Sequence, residues 1–138
     1  MQNNVDPTRE QFDAFKNLPR DRPVMMLNLI RLCAESVYPD GNKVSGRTAY
    51  DNYGRASLPI FSRVGGEIIW RGKPESVVIG PADEHWDIAF IARYPTAGAF
   101  MAMVTDEDYQ AIVIHRQVAV ADSRLIRMGA GGDGPGFG

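Results

Sequence analysis

The sequence predicts an α+β domain: four antiparallel strands with two long helices on one face, in the order β-α-β-β-α-β after a short leading helix. Three observations carry this reading. Residues 24–32 (VMMLNLIRL) form a nearly continuous apolar run, which suits a central strand covered on both sides. Tyr50, Tyr53, Ser57, Phe61 and Val64 recur at helical spacing. Residues 86–94 (WDIAFIARY) separate Trp86, Ile88, Phe90, Ala92 and Tyr94 on one parity from Asp87, Ala89, Ile91 and Arg93 on the other.

The elements follow in order. Asp6-Pro7-Thr8 supplies a helix start, and Phe12, Phe15 and Leu18 give that helix one apolar face before Leu18-Pro19 ends it. After the first strand, residues 33–47 carry the turn chemistry Tyr38-Pro39-Asp40-Gly41-Asn42 and no hydrophobic period, which predicts a loop able to act as a lid. Thr48 with Asp51 resembles a capping box for the first long helix, Pro59 is expected to kink or split it, and Gly65-Gly66 ends it. Residues 67–73 and 76–79 read as one bent or bulged strand interrupted by Pro74. The strand at residues 86–94 follows. Thr96 then caps a short helix to Val104, and Thr105 with Asp108 caps a second to about Val120, although the β-branched residues of AIVIHRQVAVA favour strand. A short strand over residues 123–128 closes the domain. This order is the split pattern of ferredoxin-like domains. Apolar residues on both parities of two strands leave the open sheet face needing cover, and a second copy of the sheet is the simplest cover.

One domain is all that 138 residues support. The expected organisation is an N-terminal helical extension (1–22), the main domain (23–128) and a Gly-rich tail (129–138). Six of the ten tail residues are glycine, and Phe137, its one large apolar side chain, is expected to touch the body or a partner subunit. A net charge of -2 without a Lys/Arg block argues against nucleic acid or an anionic membrane as partner. The single Cys33 excludes a disulfide framework and a multi-cysteine metal site, and it suits a reducing cytosol. The start MQNNVDPTRE has no basic segment followed by an apolar run, and no apolar stretch is long enough to span a bilayer. A cytoplasmic protein is expected.

The runs PVMMLNLIRL, TAYDNYG with GGEIIWRG, and HWDIAFIARYPTAGAFMAMVTDEDYQAIVIHRQVAVADSRLI resemble the domain of unknown function 1330 family, a branch of the dimeric α+β barrel superfamily. The likeness covers residues 23–128, and the combination Tyr-Pro-Thr, Asp-Tyr-Gln and His-Arg in order is what makes it specific. It implies a ferredoxin-like protomer that dimerises through its sheet face. It implies no activity, because the superfamily includes cofactor-free oxygenases, lactone isomerases, haem-degrading monooxygenases and regulatory ligand-binding domains. Asn28, Trp86 and His115 are similar to a polar trio of the haem-degrading relatives, but Trp86 and His115 lie too far apart in sequence to match it.

Candidate chemistry rests on a few side chains. His115, the only histidine inside an expected helix, is a candidate general base, its alternative being a packed histidine with one hydrogen bond. Tyr50 and Tyr53 share a helix face and could donate to a developing oxyanion, or serve as core with wetted hydroxyls. Arg93 either pairs with Asp87 or holds a ligand carboxylate, and Arg31 and Arg71 raise the same question from neighbouring strands. Asn28 interrupts the first strand and either orients a ligand carbonyl or satisfies a bulge. Trp70 is a candidate ligand contact whose alternative is core or interface. No carboxylate cluster resembles a metal site, and Gly65-Gly66 lacks the context of a phosphate loop. The expected protein is a homodimer that binds a small anionic or carbonyl-containing molecule between sheet and helices. Any chemistry would be cofactor-free, such as oxygenation or isomerisation, and the alternative is a non-catalytic binding or structural dimer.

Overall fold

The computed structural model describes residues 3–138. In chain order the elements are α1 (Arg9–Asn17), β1 (Val24–Leu32), β2 (Glu35–Val37), β3 (Lys43–Ser45), α2 (Gly46–Arg63) and β4 (Glu67–Gly72). They continue with β5 (Ile88–Tyr94), α3 (Ala97–Val104), α4 (Glu107–Ile112), α5 (Ile114–Ala119) and β6 (Val120–Met128). The main sheet has the order β4-β5-β1-β6 with every neighbouring pair antiparallel, the arrangement of a ferredoxin-like fold.

The apolar run of β1 is central as its composition requires, flanked by β5 (Asn28 opposite Phe90) and by β6 (Asn28 opposite Leu125). One parity of β1 packs under the helices. Val24 and Met26 join Ala92, Tyr94, Ile60, Phe100, Met103 and Tyr109 in one core cluster, and Ile30 joins Ala49, Ala119 and Val120 in a second. The other parity faces the open side of the sheet, where Leu27, Leu29 and Ile91 are half-buried while Ile126 and Trp70 are exposed. At the N-terminal side, Thr8 and Gln11 close a capping box on α1, whose Phe15 ring packs 5.1 Å from Phe100. The preceding residues run along β6: the Asn4 N–H donates to Asp122 Oδ1 (2.9 Å), and Ser123 Oγ donates to the Asn4 carbonyl (2.7 Å).

Several local expectations change. Residues 33–47 hold a two-stranded hairpin, β2 with β3, because Asp40-Gly41-Asn42 closes a turn in which Tyr38 and Asn42 pair through the backbone. The cap of α2 is Ser45 rather than Thr48, since the Ser45 hydroxyl accepts from the Thr48 N–H and the helix begins three residues earlier. Gly46 makes that start possible: a Cβ there would lie 1.9 Å from the Cys33 carbonyl oxygen. Pro59 sits inside α2 without splitting it. The bulge in β4 falls between Ile68 and Trp70, and the strand stops at Gly72, so residues 76–79 form no strand. The second expected helix is capped by Asp106, not Thr105, and breaks at Val113 into α4 and α5. Its β-branched end becomes the start of β6, which is three residues longer than expected and bulges opposite Arg31 and Leu32. Phe137 is fully exposed, so the expected contact of the tail with the body is absent in the protomer.

Candidate functional site

The helix side of the sheet carries the three candidate catalytic residues Tyr50, Tyr53 and His115. Tyr50 and Tyr53, one turn apart on α2, project from one face with ring centroids 5.6 Å apart. The Tyr53 hydroxyl shares a 2.8 Å hydrogen bond with that of Tyr109 on α4. Burial pushes the Tyr50 phenol up to about 12 against the opposing pull of Arg116, and burial also holds Tyr53 well above the ordinary tyrosine value. Both therefore stay protonated near neutrality and act as hydrogen-bond donors, not as bases. Replacing Tyr53 by phenylalanine leaves the buried Tyr109 hydroxyl without its partner, with an expected loss of about 1 kcal/mol in urea denaturation. Tyr50, whose hydroxyl has no protein partner among the described residues, should cost less when changed the same way.

His115 on α5 finds its partner in the hairpin. Its Nδ1 shares a 2.7 Å hydrogen bond with Tyr38 Oη, and the rings meet edge to face at 5.4 Å. Asn52 Nδ2 donates to the same Tyr38 oxygen at 3.4 Å, while Asn52 Oδ1 accepts from Arg55, which fixes the amide. The Tyr38 hydroxyl can donate to Nδ1 when the imidazole carries its proton on Nε2, and it accepts from Nδ1 in the other tautomer. Asn52, Tyr38 and His115 thus form one hydrogen-bonded chain linking α2, the hairpin and α5.

The remaining predicted residues divide between the two sides of the sheet. Asn28 lies on the helix side, half-buried, where its Nδ2 donates to the Met26 carbonyl at 3.0 Å. Arg31, Arg93 and Trp70 lie on the open side, across the sheet from His115, Tyr50 and Tyr53, so one protomer does not bring all seven residues into one pocket. Arg93 pairs with Glu67 at 3.0 Å instead of Asp87, because Asp87 is turned back to accept from the Leu32 N–H at 2.8 Å. Arg31 stands 3.9 Å from Asp122, which also receives Arg124 at 2.9 Å. Trp70 opposes Ile91 and lies over Gly72, where a Cβ would come within 2.4 Å of the indole. Tyr38, Asn52 and Tyr109 escape sequence reasoning. The Asp-Gly turn that makes Tyr38 part of a hairpin is the one signal that could have placed it.

A cleft of about 350 Å³ opens at the sheet edge beside the start of α2, lined by Arg47, Arg71, Lys73 and Asp87 over Ile88 and Phe90. Ile88 and Phe90 pack against the same core cluster of Ile30, Ala49, Ala119 and Val120 as Tyr38 and Tyr50 do. The described residues contain no group of three or more His, Cys, Asp or Glu placed to hold a metal ion, and no described helix is long and apolar enough to cross a membrane.

Sheet order and helix placement define the chain as a ferredoxin-like α+β domain with a polar cluster on its helix side. Residues 41–129 match the model of the family described as Domain of unknown function (DUF1330), and the chain belongs to that family. Its solved relatives include the methylated RPA0582 protein, 47% identical with a TM-score of 0.93, covering 98% of this chain and 100% of that one. RPA0582, a protein of unknown function from Rhodopseudomonas palustris, also matches at 47% identity and a TM-score of 0.91, covering 96% of this chain and 100% of that one. SnoaB, a cofactor-independent oxygenase from Streptomyces nogalater, shares the fold at 12% identity and a TM-score of 0.52, covering 83% of this chain and 99% of that one. A comparison with curated proteins finds no match.

Proposed function

We propose that this chain is a cytoplasmic homodimer that binds a small anionic or carbonyl-containing molecule between its sheet and helices. We further propose that the Tyr38 and His115 pair moves a proton in a cofactor-free oxygenation or isomerisation. The observation that carries the reading is the Asn52, Tyr38 and His115 hydrogen-bond chain, whose Tyr38 packs against the same core cluster as Tyr50. In this arrangement a substrate C–H or O–H gives its proton to Tyr38 as Tyr38 passes its own to His115 Nδ1. Tyr50, kept neutral, donates to the oxygen on which charge develops. SnoaB is one protein that runs cofactor-independent oxygen chemistry on this fold, which makes the reading compatible with the architecture without identifying a substrate. The apolar open face, with Leu27, Leu29 and Ile91 half-buried and Ile126 and Trp70 exposed, supports pairing of two sheets.

The second reading, a binding dimer without catalysis, is favoured by the ion pairs of Arg31 with Asp122 and Arg93 with Glu67, which give those arginines structural employment. Native mass spectrometry of the freshly purified protein tests the binding and the assembly together. The expected spectrum is a dimer carrying an added small mass, and a stable monomer would overturn the paired sheets. Once turnover is found, His115→Ala should reduce it about a hundredfold or more. Undiminished turnover would remove the proton relay and leave the non-catalytic reading.

A further inference from the structure

Arg47, Arg71 and Lys73 ring one cleft, and among the described residues none of the three forms an ion pair or a hydrogen bond with the protein. The contrast is with Arg31, Arg63, Arg93 and Arg124, each of which meets a carboxylate. The only acid lining the cleft is Asp87, and its Oδ2 already accepts the Leu32 N–H. Three cations against one engaged carboxylate make a positive concavity on a chain whose net charge is -2. Local sequence explains the convergence. The bulge after Ile68 puts Arg71 on the helix-side parity opposite Phe90, and the early start of α2 at Gly46 puts Arg47 in its first turn, facing the same edge. The floor is apolar, made by Ile88 and Phe90, and the cleft volume of about 350 Å³ suits a small organic molecule, not a polymer.

We propose that this cleft is the anion subsite of the helix-side pocket and takes the carboxylate of a small aromatic or unsaturated acid. Arg47 and Arg71 hold the carboxylate, and the body of the acid lies on Ile88 and Phe90. Guanidinium forks match a planar carboxylate in two parallel hydrogen bonds, and an aromatic floor favours a flat apolar body. The Tyr50 hydroxyl belongs to the same neighbourhood. Burial raises it, and Arg116, followed at lower weight by Arg71 and Arg47, pulls against burial, so both cleft arginines lie within electrostatic reach of it. An acid anchored here would extend its reactive end toward the phenol donors. The inference rests on the reading that the helix side of the sheet is the ligand side, and it adds which chemical group is recognised and by which residues.

The test is a titration of the ¹⁵N-labelled full chain with sodium benzoate and, separately, with neutral benzamide, following backbone amide shifts. Benzoate should saturably shift the amides of Gly72, Ile88 and Phe90, with benzamide at least about tenfold weaker. Arg71→Met and Arg47→Met should each weaken benzoate by about tenfold, and Arg71→Lys should restore part of the loss. Arg9→Met, a charge removed from the distant α1, serves as the control for net charge and should leave the titration unchanged. Equal response to benzamide, or insensitivity to the two arginine variants, would overturn the subsite. Inorganic phosphate binding as tightly as benzoate would remove the carboxylic acid assignment. Shifts confined to Asn52 and His115 would sink the cleft and keep the helix side as the ligand side. Shifts only at Leu27 and Ile91 on the open face would sink both.

Discussion

Replacing Asp122 by alanine should lower the unfolding free energy by about 3 to 5 kcal/mol, the range for removing one member of a buried, hydrogen-bonded charge group. Asp122 is 1% exposed and holds three elements together. Its Oδ1 accepts the N–H groups of Asn4 and Ser123 and the Arg124 guanidinium at 2.9 to 3.0 Å, while Arg31 stands 3.9 Å from Oδ2. Oδ2 has no hydrogen bond among the described residues, so the carboxylate is held from one side only. The variant would strand the guanidinium of Arg31, whose side chain is 16% exposed, and release the N-terminal segment from the edge of β6. Urea denaturation measures the loss, and a cost below about 1 kcal/mol would show that solvent already satisfies these arginines.

The same residue sets an acid limit. Burial pushes the Asp122 carboxyl up, but the Asn4 N–H, Arg124 and the Ser123 N–H outweigh it and bring the group below its ordinary value of 3.8. A carboxyl depressed on folding stabilises the native state fully above its unfolded value and loses that contribution as pH falls through the folded one. The stability gap between wild type and Asp122→Asn should therefore be constant at neutral pH and close below about pH 4. A gap that closes near pH 6 would point to a different titrating group.

Placing aspartate at Ile91 should dissociate the proposed dimer while leaving the protomer folded. Ile91 lies on the open face between Leu27 of β1 and Trp70 of β4, on the opposite side of the sheet from both core clusters. In a two-fold interface one substitution appears twice, and each new carboxylate would be buried against apolar side chains without a partner. The dimer dissociation constant should rise at least about a hundredfold, near 2.7 kcal/mol, with an unchanged circular dichroism spectrum. Sedimentation at micromolar concentration reads the outcome. A variant that stays dimeric would move the interface off this face.

The site was partly legible in the sequence. Helical spacing was enough to put Tyr50 and Tyr53 on one face, and alternation was enough to put Arg93 beside Ile91 and Ala89. The partners were not legible. Asp87 sits six residues before Arg93 on the same parity, yet its carboxylate accepts from the Leu32 N–H, leaving Glu67 on the neighbouring strand for Arg93. His115 had no nameable partner because Tyr38 lies 77 positions away on a hairpin that reads as a loop by period alone. Arg71 owes its side of the sheet to a one-residue bulge, and a bulge exchanges the faces of everything beyond it.

Period and punctuation in the sequence determined the strand and helix order, the central place of the VMMLNLIRL run and the two-sided apolar character of the sheet. These depend on local steric preferences and on the need to bury alternating apolar residues, both of which a single chain carries in its own spacing. Only the tertiary structure decided which charges meet. It placed Arg31 and Arg93 with carboxylates on the open face and joined Tyr38 to His115 across the hairpin. It also brought Arg47, Arg71 and Lys73 around one cleft whose one lining acid, Asp87, already accepts the Leu32 N–H. Ion pairs and hydrogen bonds act over a few ångströms between residues far apart in sequence, so their partners are set by register, bulges and turns and not by composition.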